Sequence, residues 1–423
     1  MQSGENQRKS TDGSIPRPKV FAATRSVAGF FSKSDRLPRT KNLQSQTTCD
    51  IINPIINSEK ENKKMADKLR VGIIGTGGIA HAHANAYKQF KDVEIVAGAD
   101  IIPGKARKFL DEFGWTEATA YETHEELCAR KDIDAVSICT YNSQHAAPCI
   151  CALTSGKNVM LEKPLCVTLD EAKAIRAVEQ ATGKFVTVGF QPRYGANVKK
   201  VKEVIDSGVL GQIYYVVVGG GRVKGIPGHT FIEKDKAAVG AVGDIGCYGL
   251  DFALNSIGYP KPLTVSAKQF AHFGKNPKKY AQADRFTVDD DFAVAMIRCE
   301  GDIVIDYRAS WAMNMDTTGD SMFFGTDAGL KVKAPVGCCW DGAAGDLLLY
   351  KDDEEGKQVA TPIEVEGNNV KMGMFESKIR AFVDACLTGG PAPIPTSQII
   401  YNQAIIDGII RSNACGHEVT IDL

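Results

Sequence analysis

Three stretches of the chain hold residues whose types and spacing suit chemistry on a nucleotide and a hydroxyl group. The first is Gly75-Thr76-Gly77-Gly78-Ile79-Ala80, a G-x-G-x-x-A turn between the apolar run Leu69–Ile74 and a helical stretch over residues 78–90. Gly75 permits the tight turn, Gly77 lets backbone approach a pyrophosphate, and Ala80 lets helix and strand pack closely. Thr76, Gly78 and Ile79 complete the turn, whose free N–H groups and positive helix end suit phosphate. The second is Asp100, which ends the apolar run Val93–Ala99 and lies 25 residues after Gly75. That offset suits a carboxylate accepting from a ribose 2′-OH. The same charge repels a 2′-phosphate, and Ile101-Ile102-Pro103 supply no Arg to bind one, so NAD is expected ahead of NADP. The third comprises Lys163, which precedes Pro164 after a strand end, and the pair Asp244 and Tyr248, four residues apart. Pro164 favours extended backbone at Lys163 and so fixes where its ammonium sits. Alone, such a Lys reads first as a surface residue in a turn. On a helix, Asp244 and Tyr248 face one side; a buried helix tyrosine is the alternative for Tyr248.

These residues need a scaffold, and the pattern supplies one. Apolar runs 69–74, 93–99, 120–121, 135–139, 158–161 and 185–189 alternate with helical stretches near 78–90, 103–113, 123–130, 144–155 and 168–182. Such alternation predicts a doubly wound parallel sheet of the Rossmann type, with ligands at the carboxyl ends of its strands. Beyond residue 190 the pattern changes. Stretches 212–219, 263–270, 292–298, 303–311, 322–325 and 347–350 read as strands separated by turn residues. Two late helices, near 373–388 and 396–413, precede a short strand at 419–421.

At this point the residues resemble the Gfo/Idh/MocA oxidoreductases. The resemblance rests on Gly75–Ala80, Thr140-Tyr141-Asn142 with His145, Gly156-Lys157-Asn158-Val159, and above all Glu162-Lys163-Pro164. Gly189–Tyr194, Gly208–Ile213 and Gly243–Asp251 extend it, so that it covers residues 68–423. It implies an α/β plus α+β chain: an NAD-binding Rossmann domain over 65–190, then a substrate-binding and oligomerisation domain over 191–423 on a large, mostly antiparallel open sheet. It also implies a homodimer or homotetramer. The expected activity is hydride transfer between NAD and a secondary alcohol or ketone of a sugar, cyclitol or sugar derivative.

The resemblance implies roles as well. Lys163, Asp244 and Tyr248 are the expected catalytic residues. Lys163 would move the hydroxyl proton, its pKa tuned from about 10.4 toward 7–8 by burial and cationic neighbours. Tyr248 would share that proton transfer, and Asp244 would orient Lys163 or bind a hydroxyl. The family pattern has His or Tyr at position 248; inositol dehydrogenases carry His, so Tyr248 bears on the substrate. Thr140, Asn142, His145, Glu162 and Lys163 join Gly75–Ile79 and Asp100 on the cofactor side. Arg193, Arg222 and His229 join the substrate side, with Lys224 on the same Gly-rich loop. Trp311 is either a sugar platform or core. Two other functions share the fold: an NAD-dependent glycosidase that oxidises transiently, and a non-catalytic NAD-binding regulator. The retained Glu-Lys-Pro stretch speaks against the first, and Lys163, Asp244 and Tyr248 together against the second.

Composition sets the outer limits. The 423 residues carry 50 Lys/Arg against 51 Asp/Glu, a net charge of -1. Near-neutrality gives no expectation of a nucleic-acid or membrane-surface partner. No apolar run reaches the roughly 18 residues of a membrane-spanning helix. The neutrality hides an asymmetry: residues 1–64 hold 12 Lys/Arg and 6 Asp/Glu, leaving 38 against 45 for the rest. That segment is polar, lacks periodicity and reads as disordered. It is open to three readings: a transit peptide, a basic tail, or sequence upstream of a natural start at Met65. The expected location is the cytoplasm, with organellar targeting by residues 1–64 the alternative. The 12 Cys show no C-x-x-C pair or zinc spacing, so no metal is expected. Most read as small buried hydrophobes, with Cys338-Cys339 the expected exposed pair.

Overall fold

The computed structural model describes residues 68–339, 342–365 and 372–423. The readings of residues 1–64, of a start at Met65 and of Cys49 lie outside the described residues, as do the side chains of Cys338 and Cys339. Six of the nine described cysteines are buried; Cys415 is exposed.

The first half forms the parallel sheet that the alternation predicts. Strands β1 (Leu69–Ile74), β2 (Val93–Ala99), β3 (Thr119–Tyr121), β4 (Ala135–Ile138), β5 (Asn158–Leu161) and β6 (Val186–Val188) run in the order β3-β2-β1-β4-β5-β6. Every neighbouring pair is parallel. Helices α1 (Gly78–Tyr87), α2 (Lys105–Glu112), α3 (His124–Ala129), α4 (Ala146–Thr154) and α5 (Leu169–Thr182) connect the strands. β4 is buried at every position, as a strand covered on both faces must be. The strand order reverses between β1 and β4, which opens a crevice at their carboxyl ends. α5 starts with a capping box, Thr168 accepting from the Glu171 N–H. That signal ends the irregular segment after Glu162-Lys163-Pro164 at a fixed point.

The second sheet has ten strands: β7 (Ile213–Arg222), β8 (Pro262–Phe270), β9 (Phe292–Cys299), β10 (Ile303–Ser310), β11 (Ser321–Gly325), β12 (Gly329–Val332), β13 (Cys338–Cys339), β14 (Leu347–Asp352), β15 (Gln358–Ile363) and β16 (Val419–Thr420). Its path is β15-β14-β12-β11-β7-β10-β9-β8-β16, with β13 on β7; along that path only β7 and β10 pair in parallel. β12, β13 and β15 have no predicted counterpart. β15 is exposed at five of its six positions, so no alternating apolar pattern marks it. Helix α6 (Ala196–Asp206) is also unforeseen; among its four Val and Ile residues only Val198 and Val201 are buried.

Four further helices complete the fold around the site. α7 (Lys234–Ala237) and α8 (Cys247–Ser256) flank a π-helical turn over Val242–Gly246, and α9 (Met374–Thr388) and α10 (Thr396–Cys415) close the chain. Ile379, Phe382 and Val383 of α9 are fully buried beside Ala80 and Ala84 of α1. Burying each such side chain contributes about 1.5–3 kcal/mol. The layer over the parallel sheet therefore includes chain from well beyond residue 190. The stretch over residues 234–256 is long and apolar enough to cross a membrane, but 94% of its most apolar window is buried inside the protein.

Candidate active site

The crevice at the carboxyl ends of β1, β2, β4 and β5 is a cavity of about 610 Å³. Gly75, Gly77, Gly78, Ile79, Asp100, Thr140, Asn142, Glu162, Lys163 and Tyr248 all line it. Residues expected from five separate stretches of sequence thus meet in one place.

The turn after β1 is built to receive a dinucleotide. Gly75 has φ +82°, and a Cβ there would lie 2.9 Å from the Cys139 carbonyl. A Cβ on Gly77 or Gly78 would meet nothing within 4 Å, so both leave open space at the start of α1. Asp100, at the end of β2, accepts from the Thr76 N–H and Oγ1 at 2.9 Å each and from the Ile102 N–H at 3.0 Å. Burial works against its charge, but these donors and Lys105 hold its pKa below the ordinary value. The size of the cavity, the open cradle and the placed carboxylate fit NAD. The glycines give a contrast. Gly75→Ala strains backbone and is expected to destabilise the fold by roughly 1–3 kcal/mol. Gly77→Ala is expected to leave the melting temperature unchanged and weaken dinucleotide binding by at least an order of magnitude. Paired thermal melts and calorimetric titrations check both.

Opposite the cradle sits a lysine–carboxylate pair. Lys163 Nζ donates to Asp244 Oδ1 at 2.7 Å and to the Asp244 backbone carbonyl at 2.6 Å. Trp311, fully buried, donates its indole N–H to Asp244 Oδ2 at 2.9 Å, and Arg222 lies 3.9 Å from the same oxygen. Trp311 is therefore core that also aims the carboxylate. Lys163 lies 5.4 Å from the Tyr248 ring centre and 5.8 Å from that of Phe231. The expectation of a lysine tuned downward is overturned. Burial alone lowers the Lys163 pKa, but the Asp244 carboxylate outweighs it and holds the pKa above the ordinary lysine value. The neighbour that matters is an anion. Burial also pushes the Tyr248 phenol up, so it stays neutral; its oxygen accepts from Gln191 Nε2 at 3.0 Å. At rest Tyr248 is thus a neutral hydrogen-bonding group on the cavity.

Local packing explains why Asp244 points there. Gly246 lets the π-turn lie against β10: a Cβ would fall 1.8 Å from the Tyr307 hydroxyl. Buried Asp290 accepts from the Gly240 and Val242 N–H groups at 3.0 and 2.8 Å and from Gln269 at 2.8 Å, anchoring the start of the turn. Burial pushes its carboxyl up to about 6. A carboxyl with a raised pKa stabilises the fold least when ionised. Its cost is absent below about pH 4, grows through pH 6 and reaches about 3 kcal/mol above it. The stability of Asp290→Asn relative to wild type should therefore rise by about that amount between pH 4 and 7. Urea unfolding of both proteins at the two pH values measures it.

Beneath Lys163 lies a second charged cluster. Glu162 Oε1 accepts from Lys378 Nζ at 2.7 Å and from His83 Nε2 at 2.9 Å. Burial would raise the Glu162 pKa, yet Lys378 and His83 hold it well below the ordinary carboxylate range. Burial keeps His83 neutral, so its Nε2 carries the proton, while Nδ1 faces the Ser137 hydroxyl at 3.2 Å. Glu162 thus lines the cavity with its Oε1 already engaged from behind. Lys378 and His83 escaped the sequence reading.

Three expected ligand contacts are corrected. His145 is fully buried: Nδ1 donates to the Pro164 carbonyl at 2.7 Å and Nε2 lies 3.2 Å from the Thr140 carbonyl. It braces the two loops and does not line the cavity. Arg193 forms a bidentate pair with buried Asp251, at 2.8 and 2.7 Å, and donates to Gln398; it supports the fold behind the site. His229 is exposed with φ 59°, and its neighbours Thr230 and Phe231 line the cavity instead. Asn142 does line it, but its amide donates to the Ala237 carbonyl at 2.9 Å, and Ser143 donates to Asp235. These bonds tie the parallel-sheet side to the loop carrying α7. Arg222 lies beside Asp244, 3.9 Å from its Oδ2.

Comparison with known proteins agrees with this layout. Residues 69–190 match a family model described as an oxidoreductase family with an NAD-binding Rossmann fold, and residues 198–331 match the GFO/IDH/MocA C-terminal domain. D-glucoside 3-dehydrogenase of Escherichia coli K12 is 29% identical over 252 residues, 58% of this chain and 71% of that protein. Inositol 2-dehydrogenase of Salmonella typhimurium is 37% identical over 146 residues, 34% of this chain and less than half, 43%, of that protein. Among solved structures, levoglucosan dehydrogenase in complex with NADH has a TM-score of 0.70 at 22% identity, covering 84% of this chain and 99% of that one. The aldose-aldose oxidoreductase of Caulobacter crescentus has a TM-score of 0.67 at 20% identity, covering 84% and 99%. At such identities the structures speak for the fold. With its parallel-sheet half and most of its second sheet matched by the two domain models of one family, the chain belongs to the Gfo/Idh/MocA family of NAD-binding oxidoreductases.

Proposed function

We propose that the protein is an NAD-dependent dehydrogenase that interconverts a secondary hydroxyl and a ketone on a sugar, a cyclitol or a derivative of one. One observation carries the reading: Lys163, paired with Asp244, lines the same cavity as the open Gly77-Gly78 cradle. NAD, when bound, supplies the hydride acceptor, and the chain supplies position and charge. Gly75–Ile79 would hold its pyrophosphate and Asp100 its adenosine ribose.

The protein's own groups handle the proton. Lys163, charged at rest, is a ready donor to a ketone oxygen. In the oxidising direction it must first lose a proton, and the Asp244 carboxylate is the base beside it. Lys163 and Arg222 flank the single carboxylate of Asp244. The local excess of positive charge favours an oxygen that gains negative charge as its proton leaves. Asp244, fixed by Trp311, keeps Lys163 aimed. The named relatives, which act on a glucoside and on inositol, support a polyhydroxylated substrate.

The test is a panel of cyclitols, aldoses and glycosides mixed with purified protein and NAD, read by reduced-nicotinamide absorbance. Reduction matched by equal ketone formation supports the proposal. Glycoside cleavage with no accumulating reduced cofactor overturns it in favour of a hydrolase.

A further inference from the structure

An aromatic ring stands beside the acid–base lysine. Phe231 lines the cavity, and its ring centre lies 5.8 Å from Lys163 Nζ. It is 41% exposed, although a phenyl ring gains free energy by leaving water. The chain fixes it in that state. Phe231 belongs to the 3₁₀ turn His229–Ile232, whose last residue, Ile232, is fully buried. The Ile232 carbonyl accepts from the Thr287 and Val288 N–H groups at 2.9 and 3.2 Å, and the Lys234 N–H donates to Thr287 Oγ1 at 2.8 Å. On the other side the Tyr280 hydroxyl donates to the Pro227 carbonyl. His229 at φ 59° and Ala238 at φ 65° bracket the segment. Left-handed backbone costs free energy in any residue but glycine, and it persists where the surroundings impose it. The segment is thus anchored to the second sheet and holds one ring out over the cavity.

The bonding of Lys163 says what that ring would meet. An ammonium has three N–H donors. Asp244 takes two of them, through Oδ1 and its backbone carbonyl. The third is left for a reacting oxygen, which would lie about 3 Å from Nζ. The carbons bearing that oxygen then come within van der Waals reach of the Phe231 ring. A saturated ring with hydroxyls around its rim has faces made of C–H bonds. Such a face is apolar and matches a phenyl face, while the rim hydroxyls stay free for Lys163 and Tyr248. An open-chain polyol has no such face ready made. Trp311, the platform expected from sequence, is fully buried, so Phe231 is the aromatic side chain placed for this contact.

We propose that Phe231 is a specificity-determining residue: its ring is the platform on which a cyclic polyol or sugar ring stacks, so that the enzyme takes ring substrates in preference to open-chain polyols. The proposal rests on reading the protein as a polyol dehydrogenase, and the test separates the two.

Steady-state oxidation by wild type, Phe231→Ala and Phe231→Tyr decides it, with a cyclic substrate active in the panel and the matching open-chain alditol, alongside calorimetric titration with NAD. Wild type is expected to favour the ring substrate by at least about tenfold in kcat/KM. Phe231→Ala should raise KM for the ring substrate by about tenfold, with kcat and NAD affinity each within about threefold, the pattern for lost substrate binding. KM for any alditol turned over should change by less than about threefold, and Phe231→Tyr should resemble wild type. A Phe231→Ala variant with unchanged KM, with its loss in kcat or in NAD affinity, or with KM raised equally for ring and open chain overturns the platform and leaves the dehydrogenase reading standing. Wild type that oxidises no member of the panel overturns that reading, and this proposal with it.

Discussion

Lys163→Ala is expected to lower turnover of the hydroxyl substrate by about 10²–10⁴-fold, the range for loss of a positioned acid–base group. Dinucleotide binding should change little, because the Gly-rich turn and Asp100 lie on other strands of the crevice. The wild-type lysine also sets a pH signature. Its pKa stands above the ordinary lysine value because of Asp244, so the neutral amine becomes commoner as pH rises. Initial rates of alcohol oxidation should climb through the alkaline range, and ketone reduction should need no such rise. Steady-state rates in both directions, with dinucleotide affinity measured on the same preparations, check the whole set. A variant with full turnover, or a flat oxidation profile, removes Lys163 from the chemistry.

Lys378→Met is expected to cost about 3–5 kcal/mol of stability, the usual consequence of leaving a buried charge without its partner. Lys378 is 1% exposed and Glu162 4%, so the carboxylate left behind stays buried. The double variant Glu162→Gln/Lys378→Met should regain much of the loss, because no ionised group then stays buried. Denaturant unfolding of the three proteins measures both effects. A loss below about 1 kcal/mol in the single variant would be the behaviour of a solvated surface pair. The cluster also carries the strand end that presents Lys163, so its stability bears on the site directly.

The residues that sequence revealed and those it hid differ in one physical respect. Gly75–Ala80 and Asp100 act through backbone conformation and strand position, and both are written locally. The parallel sheet was legible for the same reason: each strand is a short apolar run between helix signals. Trp311, His83 and Lys378 act through contacts 67, 79 and 216 residues away in the chain. Nothing local announces such partners. One faint signal existed for Lys378: it falls on the helical stripe of Phe375, Ile379 and Phe382, where a charge must find a buried partner. His145 and Arg193 misled for the converse reason. Polar side chains beside a motif look like ligand contacts, but burial and backbone partners assign them to support. The direction of the Lys163 shift was missed because it depends on the sign of a neighbour brought in by the π-turn.

The central claim is that an amine at position 163 moves the hydroxyl proton. Chemical rescue tests it most directly. Primary alkylamines added to Lys163→Ala, with NAD and the polyol that wild type oxidises, should restore reduced-nicotinamide formation in proportion to free amine concentration. The same amines should leave wild type unchanged. A folded, NAD-binding Lys163→Ala protein that no amine of any size or basicity revives would contradict the account.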